Sequence, residues 1–274
     1  MPIDTSSYYP EVPSPNGDDT YSLNKRGGGL FGPSEPEPKP EPEPDKSPDP
    51  EPAASPAPAK GSKDDPESPL EKTVTGFSHF LSWALVPLLM PVYGLILAFS
   101  LSVLDVAPMG MRVNFTLIVA GITCVVPMIL VVLLKKLGVV KDLGLNNRSE
   151  RPIPYIIMIV AYGITAWFMA SRHAPMWLSM FFAGGAAAAL VNLIINFEWK
   201  ISAHAAGIAG IVALLIRIAK DGYPEPEIYT WLLITIGLAG LLGSARVWLG
   251  RHTVWQVVAG YAVGFCAVFF LTMI

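Results

Sequence analysis

Val113–Leu134 reads VNFTLIVAGITCVVPMILVVLL, twenty-two residues without one charged side chain. A hydrocarbon layer about 30 Å thick is crossed by roughly 20 apolar residues in helical form. This stretch therefore places the chain in a bilayer and makes the segment a helix. Six further apolar stretches surround it. Phe77–Leu104 precedes it, with Pro87 and Pro91 expected to kink that helix. Ile153–Ser171 and Met176–Phe197 follow, joined by the short turn SRHAP. Ala205–Ile218 and Ile228–Gly243 read as short for a full span, and Thr253–Ile274 ends the sequence. The expected fold class is all-α: a polytopic transmembrane helical bundle of six to seven spans over residues 73–274.

Residues 1–72 have the opposite character. Thirteen of the 26 prolines fall between Pro33 and Pro69, and residues 35–52 read EPEPKPEPEPDKSPDPEP. With almost nothing apolar to bury, such a segment cannot offset the entropy of ordering itself. Alternating proline and acid favours an extended, polyproline-like chain. Residues 1–72 are thus expected to be a disordered tail whose proline runs suit a protein partner. No basic-then-apolar leader precedes the first apolar run, which is expected to direct insertion itself. The net charge of −3 comes largely from the tail and offers nothing to nucleic acid. Cys124 and Cys266 both lie inside apolar runs, where they read as ordinary core residues rather than thiolate ligands or a disulfide.

Small residues recur where helices need close approach: Gly184 to Ala189, Ala205-Ala206-Gly207, and Gly260 with Gly264. Gly260-x-x-x-Gly264 suits packing within the chain, a dimer face being the other reading. The ionisable groups collect in three places. KKLGVVKDLGLNNRSERP (135–152) follows the second apolar run, EWKISAH (198–204) the fourth, and SARVWLGRHTVWQ (244–256) the sixth. If every segment spans, all three share one face of the membrane.

That face carries His204 and His252, Ser202, Lys141, Lys200, Arg148, Arg151, Arg246 and Arg251. Ionisable groups beside hydrocarbon are costly and mark functional sites. This set suits a dense oxyanion such as a phosphate monoester or diphosphate. Guanidinium and ammonium groups neutralise oxygens, Ser and backbone N–H groups orient them, and two histidines divide attack from proton transfer. Lys135 and Lys136 read as ordinary cytoplasmic helix ends. His79 reads as interfacial, and His173 beside Arg172 as part of a plain helix end.

The order and spacing resemble the signature of the type 2 phosphatidic acid phosphatase superfamily, which includes the vanadium-dependent haloperoxidases. That signature is K-x6-R-P, then P-S-G-H, then S-R-x5-H-x3-D. Arg246 and His252 match the third part, Ser202 and His204 the second, and Arg151-Pro152 the R-P of the first. Lys141 lies seven residues before Arg148 and ten before Arg151, so either arginine fits as the first phosphate ligand. The resemblance covers roughly residues 77–274 and looks like a divergent bacterial branch. It implies an integral protein of the bacterial inner membrane that hydrolyses a lipid-linked phosphate without metal or cofactor. His252 would be the nucleophile, giving a phosphohistidine, and His204 the acid and base. Arg246, Arg151 or Arg148, Lys141, Lys200, Ser202 and Arg251 would hold the phosphate. Prenyl diphosphate, phosphatidic acid, phosphatidylglycerophosphate and phosphorylated lipid A all fit as substrates.

Three departures bear on chemistry. Gln256 stands where the family has the Asp that orients and charges the nucleophilic His, Ala245 replaces Ser, and Ala203 replaces Gly. The Asp-to-Gln change and the long tail support a second reading, a non-catalytic lipid-phosphate binder or scaffold. A third reading takes His204, His252 and Glu198 as metal ligands, but no H-E-x-x-H or comparable spacing supports it. Near the helix ends, eight Lys and Arg lie on the motif face against four on the other. With a cytoplasmic tail, that count makes the motif face cytoplasmic.

Overall fold

The computed structural model describes residues 68–141, 147–221 and 227–274. Among them every regular element is helical, and seven helical segments are long and apolar enough to cross a membrane. The expectation of a disordered tail lies outside the described residues for 1–67. Residues 68–72 are a correction, because they open the first helix. Ser68 accepts from the Glu71 backbone N–H while the Glu71 carboxylate accepts from the Ser68 N–H, with Pro69 in the first turn. This reciprocal cap satisfies two otherwise orphaned donors and fixes the start of the helix.

The first span is α1 (Pro69–Ala84) followed by α2 (Met90–Leu101), with the break expected at Pro87. A broken helix in lipid strands carbonyls that water cannot reach. Here side chains take them up. Tyr93 Oη donates to Ala84 O at 2.9 Å, Tyr162 Oη to Pro87 O at 3.1 Å, and Cys124 Sγ to Leu88 O at 2.8 Å. Pro91 has no N–H to give Pro87 O, which instead accepts from the Met90 N–H in a tighter turn, and the Tyr162 hydroxyl fills its second acceptor position. The second span joins α3 (Met109–Ala120) to α4 (Val126–Lys136) through a π-helical turn at Gly121–Val125. Pro127, early in α4, explains the irregularity, because it too lacks the N–H that a regular ladder needs.

The remaining spans are single helices: α5 (Pro152–Ser171), α6 (Met176–Glu198), α7 (Ala203–Lys220), α8 (Glu227–Trp248) and α9 (Val254–Thr272). Two expectations need correction. The fifth and sixth apolar runs are long enough to span, because helical backbone continues into their polar flanks. In α8 the residues after Gly243, including Arg246, form the last turn instead of a loop. With 18 residues, α7 rises about 27 Å, close to the hydrocarbon thickness.

α7 is the most buried span, packed on α2, α6, α8 and α9. Its contact with α9 explains the glycine pair. A Cβ on Gly264 would stand 1.9 Å from Ala206 O, and one on Gly260 would stand 2.5 Å from Ser202 O. The small-xxx-small stripe thus packs within the chain, which draws the start of α7 against the start of α9. Large apolar side chains such as Leu117, Leu233 and Phe270 point outward, as lipid contact requires.

Candidate functional site

The three polar segments meet at one end of the bundle. Arg151 Nη1 donates to Ile201 O at 3.2 Å, joining the first segment to the second. The Ser202 N–H donates to Gln256 O at 3.2 Å, joining the second to the third. Sequence parity alone predicts a shared face, and these two bonds place the segments in contact.

The third segment is a turn between helices. α8 ends through Gly250 in the left-handed region, at φ 63°. The N–H groups of Arg251 and His252 both donate back to Arg246 O, at 3.0 and 3.3 Å. A glycine-terminated helix end of this kind satisfies the last carbonyls, and it sets the spacing of Arg246 and His252. One residue leaves from the final turn of α8, and the other arrives just before α9. Thr253 then caps α9, its Oγ1 accepting from the Gln256 N–H while Gln256 Oε1 accepts from the Thr253 N–H at 3.2 Å.

This cap determines the protonation of His252. A backbone N–H only donates, so the Gln256 atom facing Thr253 must be oxygen. The same Oε1 lies 3.2 Å from His252 Nδ1, which must therefore carry the proton. In the neutral ring Nε2 is then the unprotonated, nucleophilic nitrogen. Burial, then the charges of Arg246, Arg151 and Lys200, hold the His252 imidazole far below its usual range, against a smaller upward pull from Gln256. Replacing Gln256 with Leu is expected to cost about 1 kcal/mol, because the Thr253 N–H loses its acceptor while the Thr253 cap itself remains. It also releases the tautomer, which a melting curve and the ring ¹⁵N shifts of His252 will show.

Arg246 and Arg151 lie within electrostatic reach of His204 as well as His252. Arg246 Nε is buried and has no hydrogen-bond partner among the described residues. Ser202 is fully buried and caps α7, its Oγ 3.4 Å from the Ala205 N–H. His204 Nε2 lies 3.2 Å from Ser82 O. A carbonyl only accepts, so Nε2 carries a proton and Nδ1 is left for chemistry. That bond also relieves a carbonyl near the end of α1, giving His204 a structural role beside any catalytic one.

The structure thus gathers His252, His204, Gln256, Arg246, Arg151, Lys200 and Ser202, with Arg251 against Arg246. Two expected phosphate ligands are exposed, unlike the buried members of this group. Arg148 is exposed and donates Nη1 to Glu198 O. Lys141 is exposed, with its backbone N–H on the Glu150 carboxylate at 2.9 Å. Of the two arginines that spacing leaves open, Arg151 is the buried one beside the histidines. Among the described residues no three His, Cys, Asp or Glu side chains come together.

Asn196 and Asn192 escape the sequence reading. Asn196 Nδ2 donates to Arg148 O at 3.1 Å, holding the first segment against α6. Two amides one turn apart in an otherwise apolar helix were the available signal.

Fold and site together define an integral-membrane helical bundle with a buried, cationic, histidine-bearing end. Comparison with protein-family models, curated proteins and solved structures finds no match.

Proposed function

We propose that the chain is a lipid phosphatase that works through a phosphohistidine at His252. The observation that carries this reading is the buried Arg246 Nε without an acceptor, beside a histidine whose Nε2 is left unprotonated. Clustered cations in a low-dielectric setting are costly unless an anion joins them. A phosphate supplies three oxygens for Arg246, Arg151 and Lys200, with Ser202 and Arg251 at the edge.

In the proposed cycle His252 Nε2 attacks phosphorus and the bond from phosphorus to the lipid oxygen breaks. His204, protonated beside the bound dianion, gives its Nδ1 proton to the leaving oxygen. It then takes a proton from the water that cleaves the phosphorus–nitrogen bond, releasing inorganic phosphate and restoring His252. The cations stabilise charge spread over the equatorial oxygens of a loose transition state. Ser82 O keeps His204 aimed through its other nitrogen.

Purified protein in detergent is expected to release phosphate from one or more of prenyl diphosphate, phosphatidic acid, phosphatidylglycerophosphate and phosphorylated lipid A. The release should be undiminished by a chelator. The neutral Gln256 favours a second reading, because it orients the ring without charging it. Lipid phosphates that bind with no phosphate release would establish that binder and end the hydrolase reading.

A further inference from the structure

A cavity opens inside the bundle between α2, α5, α6, α7 and α9, and its lining is apolar apart from a few polar groups. Ala203 belongs to its wall, between Ser202 and His204 of the cationic cluster. Tyr155 also lines it, one turn along α5 from Arg151, whose charge it faces. The cavity therefore begins at the phosphate site. It runs past Met158 and Tyr162 to Phe181 and Val268. At 1.5 Å per residue, the stretch of α6 from Asn192 to Phe181 is roughly 16 Å, about half the hydrocarbon thickness.

Two polar groups interrupt this wall near its site end. Asn192 is 3% exposed, and its Oδ1 is buried with no hydrogen-bond partner among the described residues. The Tyr155 hydroxyl, on a residue 8% exposed, has the Arg151 guanidinium beside it; that group only donates, so the Tyr155 O–H is left to donate into the cavity. A buried amide left unpaired costs free energy, so such groups mark a place that something else completes. A bare alkyl or prenyl chain completes neither.

We infer that the cavity holds one hydrocarbon chain of the lipid phosphate, and that Asn192 with Tyr155 reads a hydroxyl or ester oxygen carried close to the phosphate. This rests on the site above being a lipid-phosphate site, and it adds a specificity pair on α5 and α6. Both residues lie one to two helical turns beneath the arginine layer, the depth at which a glycerol-type linker would sit. A hydroxyl would donate to Asn192 Oδ1, and an ester carbonyl would accept from the Tyr155 hydroxyl or the Asn192 amide.

The test compares an acyl-glycerol phosphate with a monoalkyl phosphate of matched chain length. Both are assayed for phosphate release and for displacement of a fluorescent lipid phosphate. Wild-type protein should prefer the glycerol lipid by about tenfold or more, because a site built for a polar group rejects the analogue that lacks it. Asn192→Leu should erase most of that preference, slowing the glycerol lipid much more than the alkyl phosphate. Tyr155→Phe, which keeps the ring and thus the packing, should reduce it in the same direction. Equal handling of the two lipids by wild type, or a preference unchanged in both variants, overturns the inference. If neither lipid is hydrolysed, the phosphatase reading fails and displacement alone decides. A preference that depends on Asn192 sustains the pair in a binder, and its absence ends it.

Discussion

His252→Asn protein will release phosphate from lipid phosphates at least about 10³-fold more slowly than the wild-type chain, while melting within a few degrees of it. The size of the loss follows from the proposed role: a nucleophile acts as a unit with its acid and base, and single deletions within such a unit cost nearly as much as joint ones. The preserved stability follows from the environment. His252 is buried beside cations, so its ring is held neutral and contributes no ion pair. An asparagine in its place keeps a donor for Gln256 Oε1. Phosphate release within tenfold of wild type would remove His252 from the chemistry altogether.

The same environment sets the pH behaviour, and the sign is fixed. A histidine whose pKa is lowered in the folded protein stays neutral as pH falls through 6.5, where the unfolded chain takes up a proton. Stability is therefore complete above that pH and declines below it, as the unfolded state gains protons that the native state refuses. In the same window Nε2 stays available for attack. The acid limb of kcat/KM should then follow the second ionisation of the phosphate monoester, near pH 6, and not His252. Carbon and nitrogen shifts of His252 that titrate between pH 5 and 8 in the unliganded protein would contradict this.

The spans were legible because crossing a bilayer demands length without charge, which composition alone reveals. Their ends were not. Glu71 is charged yet helical, because it and the N-cap Ser68 cap each other, and Arg246 is charged yet belongs to the last turn of α8. Polarity marks the membrane surface, and helices continue beyond it. The meeting of His204 with His252 was legible from parity, since segments after even-numbered spans share a face. The choice between Arg148 and Arg151 was hidden, because it depends on which guanidinium turns inward ahead of α5. The partner of His204, Ser82 O, is 122 residues away in sequence and is supplied by backbone, so no motif could announce it. Asn192 and Tyr155 were hidden for a related reason. The pair of amides on α6 marks that helix as unusual, but which of its polar groups faces a cavity is known only once the neighbouring helices are in place.

The second large effect concerns the contact that assembles the site. Gly264→Ala will leave little folded protein, with a cost of at least about 3 kcal/mol, at the upper end for overpacked cores. The added Cβ would lie 1.9 Å from Ala206 O and 2.6 Å from Ala206 Cα, so the obstruction is backbone and no rotamer relieves it. α7 and α9 would have to separate. That movement would break the Ser202 N–H bond to Gln256 O, which ties the segment of His204 to that of His252. Activity should therefore fall with stability, although Gly264 touches no proposed substrate group. Gly240→Ala is the control, a glycine within α8 where an added Cβ meets nothing within 4 Å. It should melt at or slightly above the wild-type temperature, since alanine is the better helix former. Were Gly264→Ala to melt with Gly240→Ala and change only the oligomeric state, the stripe would be a surface between copies. The two histidines would then need some other clamp to hold them together.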